Sequence, residues 1–428
     1  MTTTTERPDA PRPESTKVDA LEGDERGLGT ALRSYGERLR SGDVGSLPAA
    51  LGLVALVVVF SVLRPDTFTN AFNFANLINQ SAAVIVIAMG LVFVLLLGEI
   101  DLSAGFAAGT AGAVTSIVVT RQGHPWPVAV LAGLATGAAI GFVIGVLVAR
   151  VGIPSFVVTL AAFLALQGIL LQLIGEGGTI PMRDPQLLAL NNNTLPVWAG
   201  WVMYVVVVVG FAAVLILRSL SRRRQGLHAN ALSVVLAKVV VLAVLLGLAT
   251  AYLSKERSRN PAITSIRGVP EVVLLLLILL VGLTVLLGRT SFGQHVYAVG
   301  GNAEAARRAG INVTRIKLVC FMISSTLAAV AGLLLASRNN SISPSTGGAE
   351  TLLYAVGAAV IGGTSLFGGK GRVVDAVLGG LVIGIIINGM GLLNRPQAQV
   401  FIVTGVVLLV AAGVDALSRR RSPGSARA

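Results

Sequence analysis

Residues 359–373 read AVIGGTSLFGGKGRV, a glycine-rich run that holds a lysine. Such a composition suits a loop whose backbone N–H groups cradle phosphate while lysine reaches the outer oxygens, in the order G-x-x-x-x-G-K-[ST]. The order here is different. Gly369 precedes Lys370, but Thr364 stands where the first glycine belongs and Gly371 where the hydroxyl belongs. A soluble strand before the run and a soluble helix after it are also missing, and no G-x-G-x-x-G appears in the right context elsewhere. ATP binding by this route is excluded. The expectation is a chain that is not an enzyme and needs no cofactor of its own.

Two carboxylates offer other chemistry. Glu99 and Asp101 border apolar blocks in GEIDLSAG (98–105), which also carries Ser103. Ionisable groups at such positions are costly and are functional candidates by default. Asp101 can equally cap the helix that follows by accepting backbone N–H bonds; Glu99 is less easily explained that way. Neither has a histidine partner or a metal-ligating cluster nearby, so no hydrolytic reaction follows. Uncharged polar groups lie within apolar blocks at Asn79, Gln80, Gln167, Gln172 and Asn388. They suit a path for a hydroxyl-rich solute, although for any one of them a hydrogen bond between helices is the stronger reading. Asp375, three residues after Arg372, reads as a local ion pair at a helix start. His124, His228 and His295 are scattered, which gives no metal site. The single cysteine, Cys320, excludes an intrachain disulfide and suits a small buried residue. Asn192-Asn193-Thr194 reads as a turn.

Everything around these residues points to lipid. Of 428 residues, 54% are hydrophobic and only 12% charged, about half the charge of a soluble domain. Apolar blocks near the ~20 residues needed to cross a bilayer recur along the chain. The net charge of +13 sits in short segments between them, and aromatics are 5% of residues. That pattern is a topology signal, not a nucleic-acid surface. Residues 1–46, rich in Thr, Pro and charge, read as a disordered cytoplasmic tail, with 28–40 as a short interfacial helix. The first apolar block begins only near Pro48, too late for a secretory signal.

The blocks predict an all-α polytopic transmembrane bundle of about twelve spans, within a range of ten to twelve. They fall near 48–63, 77–97, 102–120, 127–149, 155–174, 196–217, 231–253, 271–287, 316–336, 351–362, 373–391 and 399–417. The first and tenth are short, and the tenth suits a re-entrant or broken helix. With the N-terminus inside, eighteen basic residues near span ends face inward and nine outward, which selects that orientation. The loop 254–268 dissents with four basic residues outside. Both termini are then cytoplasmic. The membrane-embedded core is 47–417 and the basic tail 418–428. Gly133, Gly137, Gly141 and Gly145 recur every fourth residue and predict a packing seam, as do Gly380 and Gly384. The links 95–105 and 358–369 share Gly, Leu and Gly at Gly98/Gly362, Leu102/Leu366 and Gly105/Gly369. That pairing suggests two related halves.

Segment 293–317 is too polar to span. Gly300, Gly301 and Asn302 predict a turn, and AEAARRAG a short helix that Asn302 caps and Gly310 ends. A solvated inner loop whose arginines only set topology fits equally well.

Four stretches together resemble the permease subunits of bacterial ABC sugar importers, the group that includes the ribose and xylose permeases. They are GEIDLSAG (98–105), GIPSFVVTLA (152–161), YAVGGNAEAARRAGINVTRIKL (297–318) and AVIGGTSLFGGKG (359–371). The resemblance covers 48–417. The basic link RSLSRRRQG (218–226) with its additional helix pair, and EIDLS, are more similar to the xylose-type than to the ribose-type members. It implies a homodimer, or a pairing with a sister chain, in the bacterial plasma (inner) membrane, fed with a monosaccharide by an extracytoplasmic sugar-binding protein and driven by a cytoplasmic ATPase subunit. It further implies that 293–317 carries the coupling helix, with Gly301, Asn302, Glu304, Ala305, Arg307, Arg308 and Gly310 at the ATPase contact. A permease for a branched-chain amino acid or another small solute on the same scaffold is one alternative. A secondary transporter is another, disfavoured by the scarcity of acidic groups in mid-span.

Overall fold

The structure, a computed structural model, describes residues 47–225, 232–258, 260–263 and 265–421. The expected tail 1–46 with its helix at 28–40, His228, Arg259 and the last residues of the basic tail lie outside the described residues.

Each apolar block is helical, as lipid demands of a backbone with no water to bond. In chain order the helices are α1 (Leu47–Leu63), α2 (Pro65–Phe68), α3 (Ala71–Leu96), α4 (Ala104–Ser116), α5 (Trp126–Val146) and α6 (Ser155–Ile174). Then come α7 (Pro185–Asn192), α8 (Val197–Arg224), α9 (Leu232–Leu253), α10 (Val272–Arg289), α11 (Ser291–Gly301) and α12 (Ala303–Arg308). The chain closes with α13 (Val313–Asn339), α14 (Ala349–Gly362), α15 (Val373–Leu392) and α16 (Gln397–Arg421). Single π-helical turns, Ile117–Arg121 and Leu147–Val151, extend α4 and α5. The described strand is limited to β1 (Ile180–Pro181) paired antiparallel with β2 (Ser341–Ile342).

Among the described residues, eight helices are long and apolar enough to cross a membrane. The other four of the twelve expected blocks fall on α1, α4, α14 and α16, whose apolar stretches are shorter. Among the described residues, 207–244 form one compact unit and the remainder a second.

In the larger unit, α3 and α4 are buried on nearly every side, the mark of core helices. The expected glycine seam is present. Gly137 and Gly141 of α5 meet the backbone of α13 so closely that a Cβ would stand 2.5 Å from the Ser325 and Phe321 carbonyl oxygens. Gly380 and Gly384 of α15 lie on Ile85 and Ser81 of α3. The short α14 follows a non-helical stretch in which Gly347 takes φ +72°. There the Thr346–Gly348 backbone rests on Gly105 and Gly109 of α4, where a side chain would not fit. Cys320 is completely buried on α13.

Away from the motif loops, the described residues of 254–268 are held by a set of bonds around Glu256 and Arg257. The Glu256 carboxylate accepts bonds from Ser265 Oγ (2.6 Å), the Ser258 and Ile266 amides (3.0 Å each) and Arg267 Nε (2.8 Å). These donors, led by the Ser265 hydroxyl, hold its carboxyl well below the usual carboxylate range. Arg257 donates to the Leu253 and Gly268 carbonyls at 2.9 and 2.8 Å, closing the loop base.

Candidate functional site

The four stretches that carry the resemblance converge at one end of the bundle. Their centre is the link between α3 and α4, residues 97–103, which turns on Gly98 at φ +74°. Several of its polar groups are held from other elements. The amide of Ile100 donates to Ser155 Oγ (3.2 Å), and its carbonyl accepts from Thr159 Oγ1 (3.2 Å). Ser155 and Thr159 are one turn apart on α6, so one helix face grips both backbone groups of one residue of the link. The Leu96 carbonyl accepts from the Gly369 amide (2.9 Å). Glu99 forms an ion pair with Lys317 of α13, and both side chains are mostly buried.

Asp101 is 1% exposed. One carboxylate oxygen accepts from the Ser103 amide and hydroxyl, at 3.0 and 2.6 Å, and the other from Ser324 Oγ of α13 at 2.8 Å. The capping role expected for Asp101 is therefore refined. Ser103 occupies the cap position of α4, and Asp101 braces that residue while reaching across to α13. A buried carboxylate needs such donors, because each unmade bond at a charged group costs more than a neutral one.

The polar segment presses on the same link. A Cβ on Gly300 would run into the Leu96 carbonyl and stand 3.0 Å from the Gly369 amide nitrogen, so only glycine permits this crossing. Tyr297 Oη donates to the Gly371 carbonyl at 2.8 Å. The expected turn at Gly300–Gly301 is corrected here: α11 stays helical through Gly301, and the chain breaks at Asn302. The reason is packing, since glycine serves close approach rather than a left-handed turn. Asn302 then caps α12 by accepting from the Ala305 amide at 2.8 Å, and Gly310 takes φ +85°. On α12 Glu304 pairs with Arg307 (2.8 Å) and Arg308 (3.4 Å), and all three stay more than half exposed. Pairs this exposed contribute about 0–1 kcal/mol, so fold stability does not account for them. A cavity of about 250 Å³ opens between α12 and the link, lined by Glu99, Ser155, Arg307, Thr314 and Lys317 among others. Asp375 forms its expected local pair with Arg372, at 3.0 Å.

The uncharged candidates separate. Asn79 and Gln80 are half-buried on α3, where the backbone carbonyl of Asn79 accepts from the Asn191 side-chain amide (3.4 Å). Gln167 and Gln172 are exposed on α6. Asn388 exchanges two amide bonds of 2.9 Å with Asn73 and is interhelical glue. Asn388→Ala is expected to cost about 1–2 kcal/mol by thermal unfolding in detergent. Asn73→Ala added to it should cost little more, because the orphaned amide goes with it. Among the described residues no three His, Cys, Asp or Glu side chains group as a metal site. Sequence reasoning missed Asn73, Ser155, Thr159 and Ser324, and counted Lys317 only as a topology charge. The Ser155/Thr159 spacing inside PSFVVTLA and the Lys317/Ser324 spacing along one face of α13 were the available signals.

Comparison with known proteins agrees with this geometry. The family profile described as branched-chain amino acid transport system / permease component matches residues 73–412. The xylose transport system permease protein XylH of Escherichia coli K12 is 36% identical over 370 residues, covering 86% of this chain and 91% of that protein. Its namesake in Haemophilus influenzae is 37% identical over 379 residues, covering 88% and 98%. The ribose import permease protein RbsC of Escherichia coli K12 is 31% identical over 365 residues, covering 85% and 92%. No solved structure matches the chain. The match spans all four converging stretches and nearly the full length of these relatives: the chain belongs to the family of ABC importer permeases that includes the xylose and ribose permeases.

Proposed function

We propose that this chain is the membrane passage of an ATP-driven monosaccharide importer in a bacterial inner membrane, with D-xylose as its cargo. Transport runs by alternating access. Partner ATPase subunits bind ATP, close on α12, and the movement opens the passage toward an extracytoplasmic sugar-binding protein. One observation carries the reading: the exposed, charged α12 sits between two helices that both press on the link where the four stretches meet, α11 through Gly300 against the Leu96 carbonyl and α13 through Lys317 on Glu99. Glu304, Arg307 and Arg308 would meet the ATPase, with Gly301, Asn302, Ala305 and Gly310 shaping the docking helix.

Twelve spans in two related halves, both termini cytoplasmic, remain the topology we favour, with 47–417 as the permease domain. The cluster of Arg150, Arg307, Arg315 and Lys317 at the motif end supports placing that end inside. A homodimer is supported by α6. Exposed amides on a helix in lipid lack partners, and a second copy over Gln167 and Gln172 would cover them and line a sugar path between the chains.

The test is co-purification with the neighbouring ATPase and binding protein, followed by ATPase assays over a panel of pentoses and hexoses. D-xylose should stimulate hydrolysis most. Stimulation by a branched-chain amino acid and by no sugar would overturn the cargo. Uptake by the chain alone, without the ATPase, would overturn the energetic class.

A further inference from the structure

We propose that Glu99–Lys317 and Asp101–Ser324 form a two-point strut through which α13 carries movement of α12 into the α3–α4 link, and that the Glu99–Lys317 end is the breakable one. This deepens the proposed function and rests on α12 being the ATPase dock.

Lys317 and Ser324 are seven residues apart on α13, two turns along one face and about 10 Å along the axis. Both bond carboxylates of one short link: Lys317 holds Glu99, and Ser324 holds Asp101. Gripped at two points, the link must follow when α13 tilts or slides. α13 begins at Val313, just past the end of α12 and the Gly310 turn. A push on α12 therefore reaches Lys317 within a turn or two of helix.

The two ends of the strut differ. Asp101 is buried and accepts three bonds, from the Ser103 amide and hydroxyl and from Ser324 Oγ, so its bond to Ser324 persists. Glu99 and Lys317 line the cavity beside Arg307, with side chains 15% and 24% exposed. Water or a docked side chain can reach that pair and compete for either charge. The pair can thus open and close during a cycle while Asp101–Ser324 acts as its pivot. Arg307 lies on the cavity wall as well as on α12, which places the docking surface and the breakable contact on one void. Glu99 and Lys317 are positioning residues on this account. They touch neither sugar nor nucleotide.

The experiment uses the full complex of permease, ATPase and binding protein in proteoliposomes, and measures sugar moved per ATP hydrolysed, with the pentose that best stimulates hydrolysis. Lys317→Met and Glu99→Gln should each lower that ratio about tenfold, the size of effect reached by residues along a coupling route. The exchange Glu99→Lys with Lys317→Glu should restore most of the ratio, and Lys317→Arg should preserve it. If either single variant fails to insert, the other carries the test. A ratio unchanged in the single variants overturns the strut, as does an exchange variant no better than the singles. Only complexes that retain the ATPase on size exclusion are assayed. Failure of α12 as the dock would appear separately, as an ATPase still bound after 302–310 are removed.

Discussion

Gly141→Val should leave little folded protein. The substitution puts a Cβ 2.5 Å from the Phe321 carbonyl oxygen and 2.6 Å from Met322 Cα, both backbone atoms of α13 that cannot rotate aside. α5 and α13 would have to separate, and the whole seam would open with them, since a Cβ on Gly137 would stand as close to Ser325 and one on Gly145 3.0 Å from Leu318 Cα. In lipid nothing hydrophobic opposes that separation, because the acyl chains are as apolar as the helices. Close packing is the attraction, and it is what the substitution removes. The cost should exceed about 3 kcal/mol, beyond ordinary overpacking of a core by side chains. Gly168→Val on α6 is the control: a Cβ there meets nothing within 4 Å. Thermal unfolding in detergent and the monodisperse fraction report both. Equal stability of the two variants would show that the seam does not hold α5.

The second large effect is functional. Reversing Arg307 and Arg308 to glutamate should cut ATP-driven uptake to below about one hundredth, the loss produced when an interface anchor worth ~3 kcal/mol is removed. Insertion should be unaffected, because α12 buries little of itself: Ala306 is its one fully buried side chain. Both guanidinium groups reach into solvent and their local pairs add little to the fold. Deleting 302–310 should abolish uptake altogether while the protein still reaches the membrane. Normal uptake in either variant would sink the docking role.

Helices were readable because lipid permits almost nothing else: all twelve apolar blocks became helical, with ends shifted by a few residues. Spacing disclosed the seam, since a glycine at every fourth position can only form a stripe on a helix. The site was legible as four separate stretches and no further. What joins them are bonds between residues far apart in the chain, Glu99 to Lys317 and Asp101 to Ser324, and no local pattern marks such partners. Asn388 illustrates the same gap, for its meaning depends on Asn73, 315 positions away. Gly300 misled for a different reason. Glycine is used both for left-handed turns and for close backbone approach, and composition alone does not separate the two.

The solitary thiol, sealed inside α13, makes the chain convenient for spectroscopy. Maleimide and nitroxide reagents have no path to Cys320, so cysteines introduced at Glu304 and at Gln172 would be labelled selectively with the native sulfur left in place. Distances between such probes could then follow the passage through each stage of nucleotide turnover.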